Sequence, residues 1–181
     1  MSGRGSLTGL VVLLSISAAA GKAAGEESLV GTVAVSGAKP ASAPLKLTIR
    51  EYTSDDQALA MAERLHQSGP AAAAAEVVKG DVGTVQIGEQ TYRATMVRQE
   101  KTDKGRILRV VLDRPVPTPG AKTAARPPAE AVGYLELQLS ATGEGGGKVM
   151  TAVKASFDEE GFVAPESLGE TWPVSGVKPS R

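Results

Sequence analysis

The chain has no cysteine, few aromatic rings and no surplus of either charge. Zero Cys in 181 residues removes disulfides and thiolate metal sites, so packing and hydrogen bonds alone must hold the fold. Two Phe, three Tyr and one Trp amount to 3% of the chain. Its core must therefore be filled by Val, Leu, Ile and Ala, whose smaller surfaces each contribute less on burial. The same scarcity argues against a carbohydrate-binding face built from ring platforms. Lys plus Arg total 20 and Asp plus Glu total 20, so no long-range field gathers nucleic acid or an anionic membrane surface. His66 is the only histidine, and a zinc site would lack nitrogen and sulfur ligands. No metal and no cofactor is implied by any motif.

Long apolar runs are also lacking. The run from Leu7 to Ala20, after the single positive charge of Arg4, falls short of the ~20 residues needed to span a bilayer. It ends in Ala18-Ala19-Ala20-Gly21-Lys22-Ala23-Ala24, small residues suited to a signal peptidase. Residues 1–20 are expected to be a signal peptide cleaved near 20–24, leaving no membrane anchor and placing the mature protein in the periplasm or outside the cell. No Cys follows the run, which excludes a lipid anchor on that residue. Residues 25–181 then form one domain, large enough for a genuine core.

What the chain does have is strand pattern. Leu29 to Val35 is rich in β-branched residues and stops at the turn cluster Ser36-Gly37-Ala38-Lys39-Pro40. Leu45, Leu47 and Ile49 alternate with polar residues and share one face of the next strand. The period changes at Ser54, a capping residue with Gln57 three positions on, and predicts a helix over 55–67 whose apolar side is Ala58, Leu59, Ala62, Leu65 and His66. A second helix is expected from Pro70 through the alanine run to Lys79. Strand signals then resume as two hairpins, turning at Gly88-Glu89 and at Asp103-Lys104-Gly105, with Ile107 to Leu112 an interior strand.

Val116 to Ala131 has prolines and no apolar period, and reads as a mobile surface loop where Lys122 and Arg126 could meet a partner. Leu135, Leu137 and Leu139 open the clearest hairpin, joined through Gly143 to Gly147 to the alternating strand Val149 to Phe157; Thr171 to Val177 is the last. The expected fold is mainly β (α+β): an antiparallel barrel or two-sheet sandwich of eight or nine strands with a two-helix insertion at 55–79.

The order Arg106-Ile107-Leu108-Arg109-Val110-Val111-Leu112-Asp113-Arg114-Pro115, Tyr134-Leu135-Glu136-Leu137-Gln138-Leu139, Gly143-Glu144-Gly145 and Lys154-Ala155-Ser156-Phe157-Asp158 resembles a group of exported bacterial proteins with no known activity, over about residues 82–178. The resemblance implies export and carries over no functional residue.

Four residues are candidates for ligand binding. Asp113 and Arg114 end an interior strand where they could meet a ligand at the rim, but strand neighbours face opposite ways, and the reading preferred to a ligand site is a strand terminated by proline with an ion pair or turn hydrogen bond. Glu136 opposes three leucines: it is a buried acid if its face lines a barrel, and a solvated one if not. Trp172 is the one large amphipathic ring, able to stack on a ligand or pack beneath the last strand. His66 reads as a side chain at the edge of the core. No nucleophile motif or phosphate loop is present: Gly143 to Gly147 lies between two strands and lacks a helix N-terminus. Asp158-Glu159-Glu160 lacks the alternating oxygen ligands of a calcium loop. The expected function is a non-catalytic module that binds a partner protein, an envelope component or a small apolar ligand; the alternative is a hydrolase using a carboxylate pair such as Asp113 and Glu136.

Overall fold

The computed structural model describes residues 26–36, 41–68, 79–118, 131–158 and 163–180, apart from the side chains of Leu65, His66, Ser68, Ala155 and Val163. The strands are β1 (Glu27–Val35), β2 (Ala41–Ile49), β3 (Gly83–Ile87), β4 (Gln90–Thr102), β5 (Gly105–Leu112), β6 (Ala131–Ser140), β7 (Gly145–Phe157), β8 (Val163–Ser167) and β9 (Thr171–Pro179), with the helix α1 (Asp55–Ser68) between β2 and β3. Each strand from β1 to β7 pairs antiparallel with the next; β9 then joins β7 to β1. The ring closes with eight strands, as a barrel and not as a two-sheet sandwich.

β8 lies outside the ring and continues the line of β9. Both pair with the same edge of β7, where Ser167 faces Val153 and Thr171 faces Met150. Three residues, Leu168 to Glu170, thus oppose the two residues Thr151 and Ala152, the two-against-one excess of a bulge. Thr151 holds the bend: its N–H donates to Glu170 O at 2.9 Å, and its Oγ1 accepts from Glu170 N at 2.9 Å.

Alternation decides what fills the barrel. Leu45, Leu47 and Ile49 of β2 share the inward face with Leu108, Val110 and Leu112 of β5 and Leu135, Leu137 and Leu139 of β6, all buried in one cluster with Trp172 and Tyr92. The outward parity carries Lys46, Arg93, Arg109, Glu136 and Lys148. An apolar interior and a charged exterior reverse the pattern of a barrel that faces lipid. None of the described helices is long and apolar enough to cross a membrane.

A second apolar patch lies on the outer wall. Met96, Val111, Tyr134 and Met150 are successive register partners across β4 to β7, and Ala58 and Met61 of α1 pack over them. The helix starts with a reciprocal capping box: Gln57 N–H donates to Ser54 Oγ at 3.2 Å and Ser54 N–H to Gln57 Oε1 at 2.9 Å. Its expected apolar side needs one correction. Leu59 is 44% exposed, because the helix sits on Ala58 and Met61, and Leu59 is rotated about 100° from Ala58. The described residues contain this one helix; residues 70–78 of the expected second helix lie outside them, as does the side chain of His66.

The proline loop also begins later than its composition suggests. Val116 is 5% exposed and belongs to the core cluster, with its N–H donating to Thr151 O at 2.7 Å. Pro115 and Pro117 donate no hydrogen bond, so the one donor between them is directed to β7 while the Val116 side chain enters the barrel end. Residues 119–130, with Lys122 and Arg126, lie outside the described residues.

Candidate functional site

The two ends of the barrel differ in chemistry. At the end where β1 starts and β5 leaves its hairpin, inward parity places Glu27 in line with Leu29 and Val33, and Arg106 in line with Leu108 and Val110. The two side chains form a bidentate ion pair: Arg106 Nη2 to Glu27 Oε1, and Nη1 to Oε2 at 3.1 Å. Arg106 Nη1 also donates to Gln99 Oε1 at 3.1 Å, and Tyr52 O–H donates to Glu27 Oε2 at 2.5 Å. Burial and the hydrogen bond to Glu27 push the Tyr52 phenol well above its ordinary range. For Arg106, burial opposes the charged form, but Glu27 outweighs it and raises the pKa. Charge and hydrogen-bonding capacity are largely spent inside this cluster, which makes it a polar plug.

The opposite end has a pocket. Trp172 and Tyr92, each 1% exposed, line it together with Val35, Ala43, Ile87, Gln90, Val116 and Pro117. Its volume is about 360 Å³, within the range of small-molecule sites. No Asp, Glu, Lys or Arg lines it among the described residues. Trp172 Nε1–H is committed to Glu170 Oε2 at 2.8 Å, so the indole offers a ligand its apolar ring. Depressions of about 500 and 620 Å³ occur at the plugged end. They are larger but lined mainly by exposed hairpin residues such as Asp103, Lys104 and Ser140, and they open to solvent along the rim.

Asp113 and Arg114 stand beside the pocket. Arg114 Nη1 pairs with Asp113 Oδ2 at 3.1 Å and Nη2 donates to Thr91 O at 2.7 Å. The guanidinium carbon lies 4.8 Å from the Tyr92 ring centroid. Asp113 Oδ1 accepts from Arg93 N–H at 3.2 Å. Burial raises the Tyr92 pKa, with Arg114 opposing and Asp113 adding to the shift. Structure therefore brings Arg114 and Trp172 to one region through Tyr92.

Glu136 is elsewhere. It sits on the outer wall, where register places Arg98, Arg109, Glu136 and Lys148 in one row across β4 to β7. Lys148 Nζ lies 3.2 Å from Glu136 Oε1, and Tyr134 O–H donates to Oε2 at 3.2 Å. Burial, then the charge of Glu136, raises the Tyr134 pKa. Arg98 and Arg109 are like-charged neighbours, each beside its own acid: Arg98 Nη1 is 2.7 Å from Asp55 Oδ1, and Arg109 Nη2 is 2.9 Å from Glu100 Oε2. Asp113 lies four residues along β5 from Arg109, the partner of Glu136, or about 13 Å of strand. The two carboxylates face no common cleft. Among the described residues, no group of three His, Cys, Asp or Glu side chains could hold a metal ion.

Several members of both ends escaped sequence reasoning. Arg106 was within reach, because it shares parity with Leu108, Val110 and Leu112; its partner Glu27 is 79 residues away. Val35, Ala43, Ile87 and Val116 carry no chemical signal and become a site only when closure brings them together. Comparison with protein-family models, curated proteins and solved structures finds no match to this chain.

Proposed function

We propose that this protein is an exported, non-catalytic β-barrel module, periplasmic or secreted, that binds a small apolar ligand in the Trp172 pocket. One observation carries the reading: two fully buried aromatic rings line a pocket of about 360 Å³ at a barrel end, with no charged side chain in its described wall. A partner protein or envelope component that presents an apolar group would use the same place. Trp172 is the only tryptophan, so its emission reports on this pocket alone. Titration with octanol, a neutral probe, is expected to shift that emission saturably. Ala43→Phe, which fills the pocket from a half-buried position, should abolish the shift while leaving the thermal transition within a few degrees. An unchanged titration in this variant would place the probe elsewhere.

Export rests on the leader and on where the barrel begins. β1 starts at Glu27, so cleavage after Ala20 or Ala23 removes no barrel residue. N-terminal sequencing of the mature protein should start at Gly21 or Ala24; a chain still carrying Met1 in the exported fraction refutes cleavage.

A further inference from the structure

Arg114 stacks on Tyr92, one of the rings that line the pocket, and no acid is in the pocket's described wall. Building on the reading of this pocket as a ligand site, we propose that the ligand is a small amphiphilic carboxylic acid, its apolar body against Trp172 and its carboxylate on Arg114.

Position is the first reason. The Arg114 guanidinium carbon stacks 4.8 Å from the Tyr92 ring centroid, and the same ring lines the pocket, so the charge lies against a ring that borders the apolar space. Capacity is the second. A guanidinium has five N–H donors; Asp113 Oδ2 and Thr91 O each take one. Three remain, and half of the side chain is exposed. A carboxylate matches the planar fork of these donors, and it can bind without displacing either protein partner.

Asp113 sets the charge of the head group. It lies beside Arg114 at 3.1 Å and repels a second anion, so a singly charged head is favoured over a doubly charged phosphate monoester. Its own charge is partly met by the backbone N–H of Arg93 as well as by Arg114. Glu170 is held at the indole N–H.

Three probes of equal chain length separate the contributions: octanoate, octanol and octyl phosphate, titrated against Trp172 emission at neutral pH below their aggregation limits. Octanoate is expected to bind about twofold to fivefold tighter than octanol, the size of a half-exposed charged contact. Arg114→Gln should erase that preference and leave octanol affinity unchanged. Asp113→Asn should move octanoate the other way, towards tighter binding, and so guards against a loss caused by misfolding. Equal affinity of octanoate and octanol in the unaltered protein overturns the proposal, and so does an Arg114→Gln effect of equal size on both. Tighter binding of octyl phosphate than of octanoate overturns the singly charged head. If octanol binds and octanoate does not, the pocket stands and the acid is wrong; if no probe shifts the emission, the pocket reading itself fails.

Discussion

Gly147→Ala is expected to destabilise the barrel by about 3 kcal/mol, at the upper end of overpacking costs. Gly147 lies in β7 opposite Leu137 of β6, and a Cβ there would overlap the Glu136 carbonyl oxygen and stand 2.9 Å from Leu137 Cα. Both neighbours are backbone, so no side chain can swing aside. Relief requires β6 and β7 to separate, and their pairing is part of what closes the ring. Gly88→Ala is the matched comparison, with a positive φ of 60° but its nearest contact at 3.7 Å. It should cost only about 1 kcal/mol, the strain of a left-handed conformation. Denaturant unfolding of the two variants separates steric overlap from conformational strain. Equal losses would mean that β6 and β7 are less closely packed than described.

Arg106→Leu is expected to cost about 2–3 kcal/mol, somewhat below a fully buried pair because both side chains keep some solvent contact. The loss leaves Glu27 without its bidentate partner inside a barrel end, sharing only the Tyr52 hydroxyl. Replacing Glu27 and Arg106 together by Leu should recover most of the stability, since no uncompensated charge remains. If the double variant is as unstable as the sum of the singles, the pair is not a self-contained plug.

Tyrosine ionisation gives the barrel a pH signature. Tyr52, Tyr92 and Tyr134 are all three tyrosines of the chain, and all have raised pKa values, first through burial. Below about pH 10 both folded and unfolded states keep these protons and the full stability is present. Above it the unfolded chain releases protons that the folded chain retains. Stability should then fall by up to about 1.4 kcal/mol per pH unit for each tyrosine, until pH passes the folded values. Tyrosinate absorbance should appear together with unfolding, and Tyr52→Phe should flatten the slope. Reversible ionisation near pH 10 in the folded protein would contradict the burial described for these phenols.

Local physics explains which parts were legible in the sequence. Leu45, Leu47 and Ile49 announced their face because strand alternation is a property of neighbours two apart, and Ser54 with Gln57 announced a helix start because a capping box spans four residues. Closure was not local. It depends on Leu29 meeting Pro179 and Val33 meeting Val174, so barrel and sandwich shared one strand pattern. Leu59 misled because an isolated helix pattern does not show which edge of the stripe a curved wall will take. Val116 misled because its proline neighbours signal a loop, while its burial depends on Thr151, a hydrogen-bond partner on another strand. In the sequence Trp172 stands out for its ring alone; Tyr92, Ala43 and Ile87 join it only through the ring of strands.

The most direct test of binding at the Trp172 end is a chemical-shift map of the isotope-labelled mature protein titrated with octanol. Shifts are expected to concentrate at the methyl groups of Val35, Ala43, Ile87 and Val116 and at the Trp172 indole, with Ile107 and Leu139 at the plugged end unmoved. Saturable shifts centred on Ile107 and Leu139, or no saturable shift anywhere, would contradict the reading of this barrel mouth as the binding site.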